Sequence, residues 1–320
     1  MNSLSKGLVS VVVCTYNRAD ALDRCLQSLI KQSYTNLEII VVNGPSTDQT
    51  PYILAQYPVV QIINQKELNG LACARNLGIQ NSRGEIVAFI DDDAIAEERW
   101  IEKLIRGYSS ELVGGVGGLV LYPDKERVQF DNGIINKSGI PVAVRPKKAP
   151  GKGKTELPIL MGTNCSFKRD ALYNVGGFDP YFKYYHDESD LCVRLHLRGY
   201  KIAFIRDAIV FHEMAEGHNR RSTSDMNWTE IVKNSIYFSL KNFGGEIPSY
   251  IIRPFFSLSW WFIVVHYHFI HGNISLRELL KDYQKILKGA LSGYKDGVLF
   301  NLHKIDRFES FLVYSSLEKP

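Results

Sequence analysis

Residues 8–15 read LVSVVVCT and residues 85–93 read EIVAFIDDD. Each is a short apolar run, mostly β-branched, that stops at polar side chains, which is the pattern of a strand buried on both faces of a sheet. Between them the period changes. Residues 19–31 place Leu22, Cys25, Leu26, Leu29 and Ile30 at helical spacing. Buried strands follow at 37–42 and 59–63, with helices at 50–56 and 71–80. Beyond the acids the pattern predicts a helix at 97–108 and a glycine-rich strand at 113–121. Strands alternating with helices specify βαβ units and a mostly parallel sheet, here of Rossmann-like type with flanking helices. Ligands bind such sheets beyond the carboxyl ends of the strands. Thr15-Tyr16-Asn17-Arg18, the stretch from Asn43 to Asp48, and Asp91-Asp92-Asp93 all stand at those ends.

The 320 residues are 45% hydrophobic and 22% charged, enough for a large α/β domain with an appendage and unlike a disordered chain. The net charge of +4 suits an anionic small molecule or a membrane surface and is too small to argue for nucleic acid. Cys14, Cys25, Cys73, Cys165 and Cys192 form no C-x-x-C pair, so they read as small apolar residues in a reducing compartment. The opening MNSLSKGLVSVVVC has no signal-peptide core or cleavage site, and the expected location is cytoplasmic.

Residues 122–158 carry Pro141, Pro146 and Pro150, and Arg145, Lys147, Lys148, Lys152 and Lys154 cluster there. They read as one long basic loop, a substrate-facing lid or a solvated segment. Residues 157–167 read as a strand running through Gly162-Thr163-Asn164, and a short helix starts at Arg169. A helix is expected at 188–198 and one or two strands over 203–211, ending at His212. Two regions result: 1–222, with the sheet, and 223–320, with helices alone. Residues 255–270 are nearly all apolar, with Trp260 and Trp261, but are shorter than the ~20 residues of a spanning helix. An interfacial helix or a core helix fits that length.

Asp91-Asp92-Asp93 repel one another, and a divalent cation, Mn²⁺ or Mg²⁺, relieves that repulsion. An acid cluster ahead of a helix N-terminus is the competing reading. A wider pattern bears on the choice. VSVVVCTYNRADALDRCLQSLIKQSYTNLEIIVVNGPSTDQT resembles the family 2 inverting glycosyltransferases of GT-A fold. So do NGLACARNLGIQNSRGEIVAFIDDDA, GTNCSFKRDALYNVGGFDPYF and YYHDESDLCVRLHLRGYKIAF, in that order across residues 8–212.

The resemblance implies a GT-A domain with a helical C-terminal extension. Thr15, Tyr16, Asn17 and Arg18 would line the nucleotide pocket, with Asp91 and Asp92 on its donor side. Asn43 stands where the family has an acid on the base, and its carbonyl would accept from a uracil or thymine N–H, favouring UDP- or dTDP-sugars. Asp48 is a helix cap or a ligand contact. Arg75 would approach the donor phosphates. Asp93, Asp91 and His212 would hold the metal. Glu188, beside Asp187, maps to the base that takes the acceptor proton. The order Asp187-Glu188-x-Asp190 replaces the family's Glu-Asp-x-Asp, so the acid is retained on a longer arm. Gly162, Thr163, Asn164 and Asp190 would face a saccharide or lipid-linked acceptor.

Two rivals are a nucleotidyltransferase and a non-catalytic nucleotide-sugar-binding module. The first expects a glycine-rich phosphate loop after the first strand, and Cys14-Thr15-Tyr16-Asn17-Arg18 has no glycine. The second expects loss of the metal acids or the base, and both sets are present. The C-terminal apolar stretch leaves peripheral membrane contact open.

Overall fold

The computed structural model describes residues 7–143, 156–183, 185–214, 226–245, 247–303 and 311–314. The first third alternates as its hydropathy predicts: β1 (Val9–Thr15), α1 (Ala19–Ile30), β2 (Leu37–Asn43), α2 (Thr50–Ala55), β3 (Val60–Asn64), α3 (Leu71–Asn81) and β4 (Ile86–Asp91). Then come β5 (Ala94–Ala96), α4 (Trp100–Arg106), β6 (Val113–Leu121), β7 (Val128–Phe130), β8 (Gly133–Asn136), β9 (Pro141–Ala143) and β10 (Glu156–Ile159). A 3-10 turn, Gly162–Asn164, leads to β11 (Cys165–Lys168), α5 (Arg169–Asn174), α6 (Asp187–Leu197) and β12 (Lys201–His212). α7 (Trp228–Phe243), α8 (Ile247–Ile270), α9 (Leu276–Leu302) and α10 (Phe311–Tyr314) complete the described chain.

The main sheet runs β3-β2-β1-β4-β11-β6-β12-β5, with β7 on β6. β1 to β4 are mutually parallel, β11 is antiparallel to both its neighbours, and β12 is parallel to β6. The chain winds outward from β1 to β3, then crosses back to place β4 on the other side of β1. A crevice therefore opens at the carboxyl ends of β1 and β4, where ligands bind in such sheets. Side chains alternate across the sheet. Val11, Val13 and Val41 pack with Leu22, Leu26 and Trp100 on one face, while Val12, Ile40 and Phe89 pack with Ile79, Phe167 and Phe178 on the other. Burying each such side chain is worth about 1.5–3 kcal/mol.

Three expectations need correction. Residues 122–158 are not a continuous loop. β8 pairs with β9 and β10 in a second, three-stranded sheet, because Ile134 and Ile135 are apolar enough to be buried. The basic residues on which the lid expectation rests, Arg145, Lys147, Lys148, Lys152 and Lys154, lie outside the described residues. The strand over 157–167 is two strands in different sheets, broken at the Gly162–Asn164 turn. The helix over 97–108 starts later, at Trp100, because the Glu97 N–H still donates to the Ile209 carbonyl of β12.

Among the C-terminal helices, α9 lies close against α7. A Cβ at Gly289, Gly293 or Gly297 would come within 2.4 Å of the Thr229 carbonyl oxygen, 2.2 Å of the Lys233 carbonyl oxygen and 2.7 Å of Leu240 Cβ respectively. α7 in turn docks on α6. Lys241, fully buried, reaches Asp179 at 2.6 Å and Asp190 at 2.9 Å, and Asn242 donates to Asp190 at 2.8 Å. Among the described residues no helix is long and apolar enough to cross a membrane.

Candidate active site

The β1/β4 crevice is a cleft of about 450 Å³, lined by Thr15, Tyr16, Arg18, Asp91, Asp92, Asp93 and His212 among others. The Arg18 guanidinium pins two of the acids, at 2.8 Å from Asp92 and 3.0 Å from Asp93. Burial pushes the Asp92 carboxyl up to about 6, against the pull of Arg18 and with the Asp93 charge adding to the rise.

His212 meets Asp93 because β12 pairs antiparallel with β5, which sets His212 opposite Ala94. Its Nε2 lies 3.1 Å from Asp93 Oδ1, and its Nδ1 lies 2.9 Å from the Gln129 amide oxygen. A donor on Nδ1 leaves the Nε2 lone pair for a metal, the usual arrangement of a histidine ligand with an outer hydrogen-bond partner. Asp91, Asp93 and His212 each offer a donor atom, all within 4.8 Å of one another. Two carboxylates and an imidazole suit Mn²⁺ or Mg²⁺ that also binds phosphate oxygens.

Behind this cluster lies Arg75, buried under the cleft floor rather than on its wall. Its Nη1 donates to Asp187 at 2.6 Å and Glu188 at 2.8 Å, and its Nη2 reaches Asp91 at 3.4 Å. The guanidinium also stands 5.3 Å from the Phe178 ring centroid. Desolvation opposes its charge, but the three carboxylates hold its pKa well above the ordinary value. Where the donor phosphates were the expected partner, the structure sets Arg75 against these three carboxylates.

Asp187 and Glu188 open α6 and divide their roles by environment. Burial, with the Glu188 charge beside it, raises Asp187 well above the carboxylate range. Burial would raise Glu188 too, but Arg75 and a hydrogen bond from Asp187 outweigh it and hold Glu188 below its ordinary value. The Glu188 side chain retains 19% exposure against 6% for Asp187, so the ionised acid of the pair is the accessible one.

The Gly162–Asn164 turn supports this machinery. A Cβ on Gly162 would fall 1.8 Å from Glu188 Oε1 and 2.3 Å from Arg75 Nη2. The Thr163 hydroxyl donates to Asp91 Oδ2 at 2.5 Å. Asn164 is buried, accepts from Trp100 Nε1 and donates to the Leu119 and Ala208 carbonyls. Asp190, fully buried, is paired with Arg194 and Lys241. Asn164 and Asp190 thus hold the fold together, and their placement as acceptor contacts is withdrawn.

Two nucleotide-pocket expectations change as well. Asn43 is buried, its amide donating to Asn64 and its carbonyl accepting from the Ser46 hydroxyl, which withdraws it from a base. Asn17, at φ 52°, accepts from the Thr47 backbone N–H at 2.7 Å and ties two rim loops together. Asp48 is a cap, accepting from the backbone N–H of Ala19 and of Thr50. The cleft wall also includes Gln65, Gly70 and Lys183, which motif reading passed over. Gln65 directly follows β3, so the strand-end rule alone would have found it. Lys183 and Gln129 come from stretches without a sequence signal.

The match to known proteins agrees with this geometry. The model of glycosyl transferase family 2 matches residues 10–176. A glucosyl-dolichyl phosphate glucuronosyltransferase of Haloferax volcanii is 30% identical over 224 residues, covering 65% of this chain and 70% of that protein. Glycosyltransferase GlyG of Streptococcus pneumoniae is 27% identical over 229 residues, covering 69% and 75%. In structure the chain is similar to a mannosyltransferase of Pyrobaculum calidifontis solved with GDP-Man and Mn²⁺. The TM-score is 0.56 at 18% identity, over 94% of this chain and 88% of that one, and the likeness extends to the GT-A fold. With its acids at the β1/β4 crevice and its match over more than half its length, this chain belongs to glycosyl transferase family 2 and is a glycosyltransferase.

Proposed function

We propose that this glycosyltransferase moves a sugar from a nucleoside-diphosphate sugar to an acceptor hydroxyl with inversion at the transferred carbon. The observation that carries the reading is the buried guanidinium of Arg75, which ties the metal-side acid Asp91 to the accessible carboxylate Glu188. An inverting transfer needs a base opposite the leaving group. Glu188 is ionised and reachable, and it takes the acceptor proton as the hydroxyl attacks. Burial and the Glu188 charge favour the protonated form of Asp187 beside it, which eases the repulsion within the pair.

Asp91, Asp93 and His212 would hold Mn²⁺ or Mg²⁺, which when bound neutralises charge on the leaving diphosphate. Arg18 orders two of the acids around that position. On the nucleotide side, the Gln65 amide offers a donor and an acceptor, which suits the edge of uracil or thymine and supports UDP- or dTDP-sugars. The acceptor is a saccharide or a lipid-linked saccharide, in polysaccharide or glycolipid synthesis of the cell envelope. One relative's name, with its glucosyl-dolichyl phosphate, supports the lipid-linked form. Five free cysteines support a reducing, cytoplasmic location, at the membrane face if the acceptor is lipid-linked.

A thermal-shift panel of UDP-, dTDP- and GDP-sugars with and without Mn²⁺ tests the donor, because a ligand of the native state raises its melting temperature. A shift for UDP- or dTDP-sugars that needs Mn²⁺ is expected. No shift with any nucleotide sugar, or a product whose anomer NMR shows to be retained, overturns the proposal.

A further inference from the structure

The C-terminal helices carry a second apolar surface that their own packing does not use. α9 buries Ile286, Gly289, Gly293 and Gly297 inward. On its outer side Leu276, Leu280, Leu287, Leu291 and Tyr294 recur every three, four or seven residues, which places them on one stripe. All five are exposed, Leu291 to 75%. One position further on, Arg277, Lys281, Lys288 and Lys295 repeat at the same spacing and form a parallel exposed basic stripe. The acids of the helix are on its other side. Glu278 closes a capping box with Ser275, Asp282 pairs with Lys285, and Asp296 accepts from the Tyr181 hydroxyl.

α8 repeats the arrangement without the charge. It contains no acid, and its one cation, Arg253, donates to the Phe243 carbonyl. Trp261 and Val265 are buried, while Phe255, Phe256, Ile263, Tyr267 and Ile270 are all more than half exposed. Of the two tryptophans, only Trp260 faces outward, since Trp261 packs on Trp228 at 5.8 Å. The seam between the helices joins the stripes. Phe262 meets Tyr283 at 4.9 Å, and His266 bonds the Tyr283 hydroxyl at 2.9 Å. Tyr283 is three residues from Leu280 and four from Leu287, and His266 is three from Ile263 and four from Ile270. Both stripes therefore border the same seam and make one apolar surface edged with cations.

We infer that the α8–α9 pair lies flat on an anionic lipid surface, with the apolar stripes at the headgroup–acyl boundary and the basic stripe among the phosphates. Exposed apolar area of this extent beside a single-sign charge stripe is what an interfacial helix requires. Neither helix is fit to cross the bilayer. A second copy of the chain is the weaker occupant, since a two-fold interface would set the basic stripe against itself. Trp261, behind this face, packs on Tyr185 at 6.2 Å, next to the start of α6. The lipid surface thus lies on the base side of the molecule. Its consequence, delivery of a lipid-linked acceptor to Glu188, rests on the proposed base and acceptor; the lipid binding does not.

Flotation of the full chain with phosphatidylcholine vesicles, with and without phosphatidylglycerol, tests the surface. The expected result is flotation with the anionic vesicles that weakens as salt rises. Lys281→Glu with Lys288→Glu, and separately Leu287→Ser with Leu291→Ser, should each lower partitioning by at least roughly tenfold. Circular dichroism confirms that each variant is folded. A protein that stays at the bottom at low salt overturns the inference, as do variants that float like the parent. So does a dimer, seen by light scattering, that the serine variant dissolves while nothing floats. Flotation without any nucleotide-sugar thermal shift leaves this surface standing and sinks the proposed nucleotide-sugar donor alone.

Discussion

Glu188 Oε1 lies 2.8 Å from Arg75 Nη1, and the charge of that guanidinium works against burial to hold the carboxylate ionised. The same guanidinium reaches Asp187 and Asp91, so one planar group fixes three acids. A lysine brings one point charge and cannot span them. Arg75→Lys should cut kcat by roughly 10²-fold through misplacement of the acids. The pH profile gives the sharper readout. Arg75 depresses Glu188, whose active form is the carboxylate, so weakening the pair should move the acidic limb of kcat to higher pH. An unmoved limb would show that Arg75 does not control Glu188.

Glu188→Gln keeps shape and hydrogen bonding but accepts no proton. Transfer should fall by roughly 10²–10⁴-fold while the nucleotide-induced thermal shift persists. Near-parental turnover in this variant would falsify the base assignment.

Gly162→Ala asks whether the turn is shaped around the acids. The added methyl would overlap the Glu188 carboxylate and the Arg75 guanidinium, so one of them must move. A stability loss of about 1–3 kcal/mol is expected, with kcat reduced and the donor KM little changed. A fall in donor affinity with kcat intact would place Gly162 on the nucleotide side instead.

How these residues are found differs between them. The β1 and β4 strands announce themselves, because continuous β-branched runs are buried on both faces and their polar ends must face solvent or a ligand. Asp91 and Asp93 stand out as candidates for that reason, and Glu188 through the motif around it. Arg75 was readable as a site residue but not in its role. Helical spacing cannot say that the side chain turns under the cleft, where Phe178 and two carboxylates from 112 and 113 residues away receive it. Asn43 and Asn164 fail in the same way: an amide at a strand end looks available until its partners, far off in sequence, are known. The 122–158 region misleads because its prolines and charges outweigh the three short strands of the second sheet, and pairing decides strands of that length.

The candidate metal cluster of Asp91, Asp93 and His212 leans on Gln129, which a motif search does not reach. Gln129→Leu removes the acceptor that holds His212 Nδ1. Mn²⁺ affinity should weaken by roughly 10–100-fold with nucleotide affinity in the absence of metal unchanged. Asp93→Ala should abolish Mn²⁺-dependent nucleotide binding altogether while the melting temperature without ligand holds. Calorimetry showing undiminished Mn²⁺-dependent binding in the alanine variant removes Asp93 from the ligand set.

Lys241 anchors the C-terminal helices to the helix that carries Glu188. It is fully buried, between Asp179 and Asp190, so Lys241→Met leaves a buried carboxylate without its cation, at a cost of about 3–5 kcal/mol. The pH dependence separates this from simple loss of packing. Burial alone would raise Asp190, but Lys241 and Arg194 outweigh it and hold the carboxyl at about 2. A depressed folded-state pKa stabilises the protein fully above the unfolded value, near ~4, and that contribution is lost as pH falls toward 2. It amounts to roughly 2 kcal/mol. In Lys241→Met the depression shrinks, so urea-unfolding free energies measured from pH 4 downward should fall less steeply than in the parent. Equal slopes, with a uniform offset, would mean that the lysine contributes by packing and that Arg194 alone holds Asp190 ionised.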